Sequence, residues 1–155
     1  MTKSSFRAFS LLVPLAAWGC ASHRPDYHGL VPGQADVVDL LREAETRLTD
    51  PEASMEAAPL ASAPGVNHQL LRIRGAEPLH RHENHDLTIV ILRGGGVLRT
   101  MAGEREREEK LGVGSIVLIP RGLAHAFRNE EEGTTIAFMA SSPPFDPADR
   151  VLLEK

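Results

Sequence analysis

Two histidines one residue apart give this chain its first chemical signal. His80 and His82 lie in "LHRHENHDLTIVILRGG", residues 79–95, and strand-forming residues follow them. Because side chains alternate between the two faces of a β-strand, imidazoles at positions i and i+2 share one face. Such a pair can chelate a single metal ion, since imidazole nitrogen binds several divalent transition metals. The motif therefore predicts one half of a metal site.

The other half lies further along the chain, in "GSIVLIPRGLAHAFRN", residues 114–129. Pro120 and Gly122 predict a tight turn between two strands, because proline presets the turn geometry and glycine is free of steric limits. We expect these two strands to lie side by side, with His125 on the second. A third imidazole from a neighbouring strand completes a facial set of nitrogen ligands with His80 and His82.

Short apolar runs between residues 65 and 142 are the elements that must position these histidines. None of the runs has the length or the period of a helix. They are "HQLLRIRG", "DLTIVILRGGG", "VLRTMAG", "SIVLIPRG", "AHAFRN" and "TTIAFMAS". Six or more short strands at close spacing indicate an all-β domain, either an antiparallel barrel or a sandwich. The stretch "GEREREEKLG", residues 103–112, mixes both charge signs and is typical of a solvated strand or hairpin rim.

Two flanking segments complete the predicted organisation. Residues 34–57 are predicted to be helical, with Asp36 as the N-cap of a first helix and Asp50 as the cap of a second that begins at Pro51. The apolar face of the first helix consists of Val37, Leu41, Ala44 and Leu48. Residues 143–155 form a tail, from which the short apolar segment 151–153 can return to the domain.

The two histidine segments together resemble the motifs of the cupin superfamily. In the first, "HRH" precedes a strand that ends at Gly94. The second has the spacing G-x5-P-x-G-x2-H-x3-N and fits at every fixed position, which are Gly114, Pro120, Gly122, His125 and Asn129. The resemblance covers about residues 65–142. It implies a small antiparallel jelly-roll barrel, preceded here by a short helical segment, with a metal in its mouth.

The first motif departs from the cupin pattern at the fourth ligand. Cupins usually supply a glutamate seven residues before the closing glycine, and this position is Leu87, which cannot bind a metal. Three arrangements stay open: a three-histidine site with free coordination positions, a site joined by Asp86 through a bulge that shifts the register, and a site joined by His85. Another interpretation is a barrel that keeps its histidines as polar lining without a metal.

The predicted guest is a small, mostly apolar molecule with one or two oxygen donors. The apolar lining expected from strand positions is Val90, Met101, Phe127 and Phe138, and no Arg or Lys is clearly placed inside. One divalent transition metal, Fe, Mn, Zn, Ni or Cu, is the expected cofactor.

The function is then a metal-dependent enzyme of dioxygenase, isomerase or lyase type, or a non-catalytic module that binds a metal or small ligand. A purely structural envelope protein is a third hypothesis. The resemblance also implies pairing into homodimers through sheet edges.

The amino terminus predicts export. Lys3 and Arg7 precede an apolar run, residues 8–17, that is too short to span a bilayer core of about 30 Å as a helix. With Cys20, the only cysteine, it resembles a bacterial lipoprotein signal. The resemblance implies removal of residues 1–19, lipidation of Cys20 and a periplasm-facing envelope protein. Ordinary secretion with a free thiol is the alternative. Residues 20–33 are rich in turn formers and predict a tether.

The charge pattern excludes two classes of partner. The formal net charge is −4 and no basic stripe is present, which argues against nucleic acid binding. Removal of residues 1–19 takes away Lys3 and Arg7 and no acid, so the charge becomes −6. Such a chain is not attracted to anionic lipid headgroups. Attachment to a membrane therefore depends on acyl chains at Cys20 alone.

The lipid anchor predicts the effect of changing Cys20 to Ser. Without the thiol there is no acylation, and the protein is expected to move from the membrane fraction to the soluble periplasm. Cell fractionation followed by immunodetection measures this shift. An unchanged distribution would show that Cys20 is not the anchor.

Overall fold

The computed structural model describes residue 35, residues 37–130 and residues 132–153. The predicted signal peptide, tether, Cys20 and Asp36 lie outside the described residues. In chain order the described elements are α1 (Leu40–Arg47), β1 (Met55–Ala63), β2 (Val66–Ile73), β3 (His80–His82), β4 (Asp86–Arg93), β5 (Gly95–Ala102), β6 (Arg105–Gly112), β7 (Ile116–Ile119), β8 (Ala124–Asn129), β9 (Thr135–Ser142), a 3-10 turn (Pro147–Asp149) and β10 (Arg150–Leu152). No helix among these described elements is both long enough and apolar enough to cross a membrane.

The strands form two five-stranded antiparallel sheets. Sheet A has the order β1-β2-β9-β4-β7, and sheet B has the order β10-β3-β8-β5-β6. Most neighbours in each sheet are distant in the chain, because the chain crosses repeatedly between the sheets as in a jelly roll. The predicted all-β fold is confirmed, and so are all six of the predicted apolar strands.

The turn at Pro120–Leu123 links the two sheets. The Leu123 N–H donates to the Pro120 carbonyl at 3.2 Å, and Gly122 has a φ of +78°, which favours glycine at this position of the turn. However, β7 pairs with β4 in sheet A, whereas β8 pairs with β3 and β5 in sheet B. The prediction that the flanking strands lie side by side is therefore wrong. The turn instead carries the chain from one wall of the barrel to the other.

The helix α1 covers the outer face of sheet A. Asp39 is its N-cap, and its side chain accepts from the N–H groups of Leu41 and Arg42 at 3.1 and 3.2 Å. The buried cluster beneath the helix contains Ala44, Leu48, Ala58, Leu60, Leu70 and Ile136. Ala44 and Leu48 of the predicted apolar face thus pack on the sheet, whereas Val37 precedes the helix and is 95% exposed.

The two sheets include strands from outside the predicted barrel, residues 65–142, on both sides of it in the chain. Residues 49–54 contain no helix, and β1 runs through the segment that was expected to be helix and linker. Its pairing with β2 satisfies backbone groups along most of its length, which outweighs the local turn signals of Pro51 and Pro59. The tail also returns to the domain as β10, which pairs with β3 and overlaps the predicted segment at Val151 and Leu152.

The contact between α1 and sheet A predicts the effect of changing Leu48 to Ala. Leu48 is 2% exposed, and its removal leaves a cavity between helix and sheet. We expect the free energy of unfolding to fall by about 2–5 kcal/mol. Val113→Ala is the matched control, because Val113 is 70% exposed and its loss should change stability by less than about 0.5 kcal/mol. Chemical denaturation of the three proteins measures both values, and equal losses would contradict this packing.

Candidate metal centre

Strand pairing brings the three predicted histidines to one point. His80 and His82 are the ends of the three-residue strand β3, and both are buried. On the neighbouring strand β8, His125 is the direct partner of His80. One ring nitrogen from each of the three histidines lies within 4.8 Å of those of the other two. Ligands of a single ion must approach one another in this way, so the group has the size and the donor types of a metal site.

Backbone carbonyls orient two of these rings. The Nδ1–H of His80 donates to the Pro78 carbonyl at 2.9 Å, and the Nδ1–H of His125 donates to the Leu123 carbonyl at 3.0 Å. A carbonyl can only accept, so Nδ1 carries the proton and Nε2 keeps its lone pair. Each acceptor lies two residues before its histidine. Carbonyls just before β3 and β8 therefore hold both rings in the tautomer that can bind a metal.

Burial keeps the three imidazoles neutral. It is the main cause that lowers the pKa of His80 to about 3 and that of His82 to about 4, with neighbouring histidines adding to the effect. Burial lowers the pKa of His125 as well. All three rings are uncharged at neutral pH and keep one nitrogen with a free lone pair, so no proton has to leave before a cation binds. The group fits a divalent transition metal on donor type, protonation state and spacing.

The histidines lie against an apolar cavity between the two sheets. Its apolar lining includes Leu71, Leu87, Ile89, Ile91, Leu98, Phe127, Ala137 and Met139. Phe127 was predicted to lie here, but Val90, Met101 and Phe138 were placed here wrongly. On β4 and β9 the odd-numbered residues face the cavity, whereas Phe138 packs toward α1 on the outer face. Met101 lies on the outer side of sheet B with Arg99. Val90, Met101 and Phe138 thus all point away from the cavity, because their positions alternate with those that face it.

Two charged residues that line the cavity were missed by the sequence analysis. Glu77 Oε1 lies 3.6 Å from Nε2 of His80 and accepts from Nη2 of Arg150 at 3.2 Å. Burial raises the pKa of Glu77 to about 7, and the charge of Arg150 opposes this shift. The expectation that no Arg or Lys lies inside is therefore wrong. Arg150 belongs to a segment that was predicted as a tail, and it reaches the site only because β10 pairs with β3.

Glu77 left one signal in the sequence. It lies three residues before His80, close to the same motif. Its N–H donates to the Phe127 carbonyl at 2.8 Å, which ties the residues before β3 to β8. The pattern of alternation does not extend to a residue outside a strand, so spacing alone could not orient its side chain.

The structure does not bring Asp86 into the histidine group. Its carboxylate accepts from the Arg121 N–H at 2.8 Å and from the Arg121 guanidinium at 2.7 and 3.1 Å. These hydrogen bonds lower the pKa of Asp86 to about 2. The inward position on β4 is occupied by Leu87, which lines the cavity and is 4% exposed. No bulge at the start of β4 rotates Asp86 inward, because Asp86 and Leu87 pair in regular register with β9.

The third alternative, His85, belongs to a second group that shares His82. One donor atom each from His82, His85 and Asp149 lie within 4.8 Å of one another, and all three residues are buried. Nδ1 of His85 is 2.8 Å from Oδ2 of Asp149. His85 is not part of the group formed with His80 and His125. Asp149, like Arg150, was missed because it lies in the predicted tail.

The sequence of the barrel matches a known family. A family model described as the cupin domain matches residues 67–141. The chain belongs to the cupin superfamily. It is also 32% identical, over 119 residues, to an uncharacterized protein of Aquifex aeolicus (strain VF5), a match that covers 77% of this chain and 91% of the relative. The expected jelly-roll barrel is thus confirmed by both the strand order and the family.

Solved structures of other proteins share the cupin fold of this chain. The protein TT1209 from Thermus thermophilus is 27% identical with a TM-score of 0.58, over 72% of this chain and 100% of that protein. The capsular polysaccharide assembling protein CapF from Staphylococcus aureus is 19% identical with a TM-score of 0.58, over 64% of this chain and 30% of CapF. This cupin therefore spans about a third of the length of CapF.

The site predicts the effect of changing His82 to Ala. The substitution removes the ligand shared by both groups, so stoichiometric binding of a divalent transition metal should be lost. Metal analysis of purified protein after equilibration with Zn²⁺ measures this. His68→Ala is the matched control, because His68 stacks on Phe138 at 5.6 Å on the outer face of sheet A. Equal metal content in wild type and His82→Ala would remove His82 from the ligand set.

Proposed function

We propose that this cupin is a metal-dependent enzyme that acts on a small, mostly apolar molecule with one or two oxygen donors. The observation that carries the proposal is the position of three neutral imidazoles at one side of an apolar cavity. His80, His82 and His125 would hold the metal through ring nitrogens. When bound, a metal in such a site polarises an oxygen of the guest or supports redox chemistry, depending on its identity.

Glu77 is the residue best placed to move a proton. Its carboxyl oxygen is 3.6 Å from Nε2 of His80, so it borders the place where a guest would meet the histidines. A pKa raised to about 7 by burial lets this carboxyl both give and take a proton at neutral pH. Arg150 restrains Glu77 through the contact of 3.2 Å and offers positive charge to a guest that is an anion.

The apolar walls select the guest and exclude water. Leucine, isoleucine and methionine side chains from both sheets form the cavity. Each methylene of a guest that moves from water into such surroundings contributes about 0.8 kcal/mol. The polar residues that line the cavity are the three histidines, Glu77, Arg150 and Gln69, so they would orient the guest rather than attract it by themselves.

The expected location and assembly stay part of the proposal. The features of residues 1–20 support export and anchoring through Cys20 in the cell envelope. Pairing into homodimers is supported by strand β7, one of the two edge strands of sheet A, where Ile116 is 63% and Leu118 is 70% exposed. Apolar side chains on an exposed edge strand favour association with a second chain.

The enzyme proposal predicts turnover that depends on both the histidines and Glu77. Wild-type protein, loaded in turn with Fe²⁺, Mn²⁺, Zn²⁺, Ni²⁺ and Cu²⁺, is incubated with a cellular small-molecule extract and followed by mass spectrometry. One species should fall and another rise with wild type and not with the His80→Ala/His125→Ala double variant. Glu77→Gln should keep the metal and slow the conversion by about 10²–10⁴-fold, because it cannot transfer the proton.

Other outcomes of the same experiment would contradict the proposal. If the protein binds one species of the extract but does not convert it, the chain is a non-catalytic binding module. Loss of metal from Glu77→Gln would show that Glu77 is a ligand rather than an acid or base. A wild type that holds no metal after each loading would leave the histidines as polar lining.

A further inference from the structure

The second histidine group contains two buried nitrogen atoms that lack partners among the described residues. They are Nδ1 of His82 and Nε2 of His85. The two rings have centroids 4.4 Å apart and planes inclined by 32°. A buried ring nitrogen without a hydrogen bond destabilises the fold, so two of them on adjacent rings require an explanation.

Asp149 determines which nitrogen of His85 carries the proton. A carboxylate can only accept, so the contact of 2.8 Å places the proton on Nδ1 of His85. Nε2 of His85 then has a free lone pair and must act as an acceptor. The adjacent orphan atom, Nδ1 of His82, can supply the missing donor if it is protonated.

Asp149 is itself saturated with donors, which argues against a second metal at this group. Oδ1 accepts from the Glu83 N–H at 3.1 Å and from Nδ2 of Asn84 at 2.6 Å. Oδ2 accepts from the Asn84 N–H at 3.0 Å and from His85. A carboxylate offers about four lone-pair positions, and all of them are used. Asp149 therefore acts as a fixed acceptor rather than as a free metal ligand.

The other two histidines of the metal site show what His82 lacks. His80 and His125 each donate Nδ1–H to a carbonyl, which leaves Nε2 for the metal. Nδ1 of His82 has no such carbonyl among the described residues, and the neighbouring ring offers the acceptor nitrogen of His85. The Phe145 ring meets both imidazoles in a T-shaped arrangement and covers this side of the pair against water. Its centroid is 5.7 Å from the centroid of His82 and 5.2 Å from that of His85.

We propose that His85 and Asp149 form a relay that positions His82. Nδ1–H of His82 donates to Nε2 of His85, and Nδ1–H of His85 donates to Asp149. One ring nitrogen of His82 lies within 4.8 Å of one of His85, so the first of these bonds closes when the rings rotate toward each other. The relay selects the tautomer of His82 whose Nε2 is unprotonated, and so makes all three imidazoles equivalent as ligands. His85 and Asp149 are positioning residues, because they act only through His82.

The test compares two substitutions of His85. Phenylalanine fills the space without an acceptor, whereas glutamine places its amide oxygen near the position of Nε2. His85→Phe should weaken Zn²⁺ binding by about 10–100-fold at an unchanged stoichiometry, and His85→Gln should recover part of the affinity. His68→Phe, on the outer face, is the matched control and should bind Zn²⁺ like wild type. Isothermal titration measures the affinities, and thermal unfolding of the metal-free proteins checks that each variant folds.

A second measurement reads the tautomer directly. Nitrogen-15 chemical shifts of the histidine side chains in the metal-free protein should show His82 protonated on Nδ1 in wild type and in His85→Gln. In His85→Phe that preference should be lost. This readout needs no bound metal, so it decides the relay even if the proposed metal function fails.

Three results would overturn the relay. One is a wild-type affinity for Zn²⁺ in His85→Phe. Another is a weakened affinity with the His82 tautomer unchanged, which would indicate a general effect on packing. The third is a second Zn²⁺ per chain that disappears in His85→Phe, which would make the second group a metal site of its own.

Discussion

The pairing of β3 with strands on both of its sides is the constraint on which the site depends. This strand has only three residues, yet β8 pairs with it on one side and β10 on the other. The first pairing sets His80 against His125, and the second sets His82 against Arg150. The N–H of Gly122 also donates to the His82 carbonyl at 2.6 Å, which ties the inter-sheet turn to the same strand. A shift of one residue in either pairing would turn these side chains away from the cavity.

Hydrogen bonds compensate for the burial of many polar groups at the site. Pro78 and Leu123 supply carbonyls to two imidazoles, and Asp149 collects four N–H groups at the end of the 3-10 turn. Neutral imidazoles avoid the large cost of an isolated buried charge. The same burial leaves Glu77 and Arg150 as the charged pair that lines the cavity. Burial thus determines both which polar groups need hydrogen bonds and which charged groups a guest would meet.

The packing of α1 determines which of the two apolar faces of β4 lies outside the barrel. Strand β4 is apolar on both sides, with Leu87, Ile89 and Ile91 toward the cavity and Leu92 toward the helix. Alternation alone cannot choose between such faces, because both parities satisfy it. The choice depends on which face α1 covers, and the inward face then carries leucine where cupins usually supply glutamate. This is why Val90 and Phe138 were predicted on the wrong side.

The sequence by itself determined the cupin family, the six apolar strands and the three histidines that the fold brings together, because motif spacing and strand alternation are local properties. It also located Leu87 at the position of the usual glutamate. Only the tertiary structure decided that Asp86 pairs with Arg121, that β1 and β10 join the sheets, and that Glu77, Asp149 and Arg150 lie beside the histidines. These residues reach the site through pairings between distant segments, as from Arg150 to His82. Such pairings are decided by burial and backbone hydrogen bonding across the whole barrel, and no short stretch of sequence encodes them.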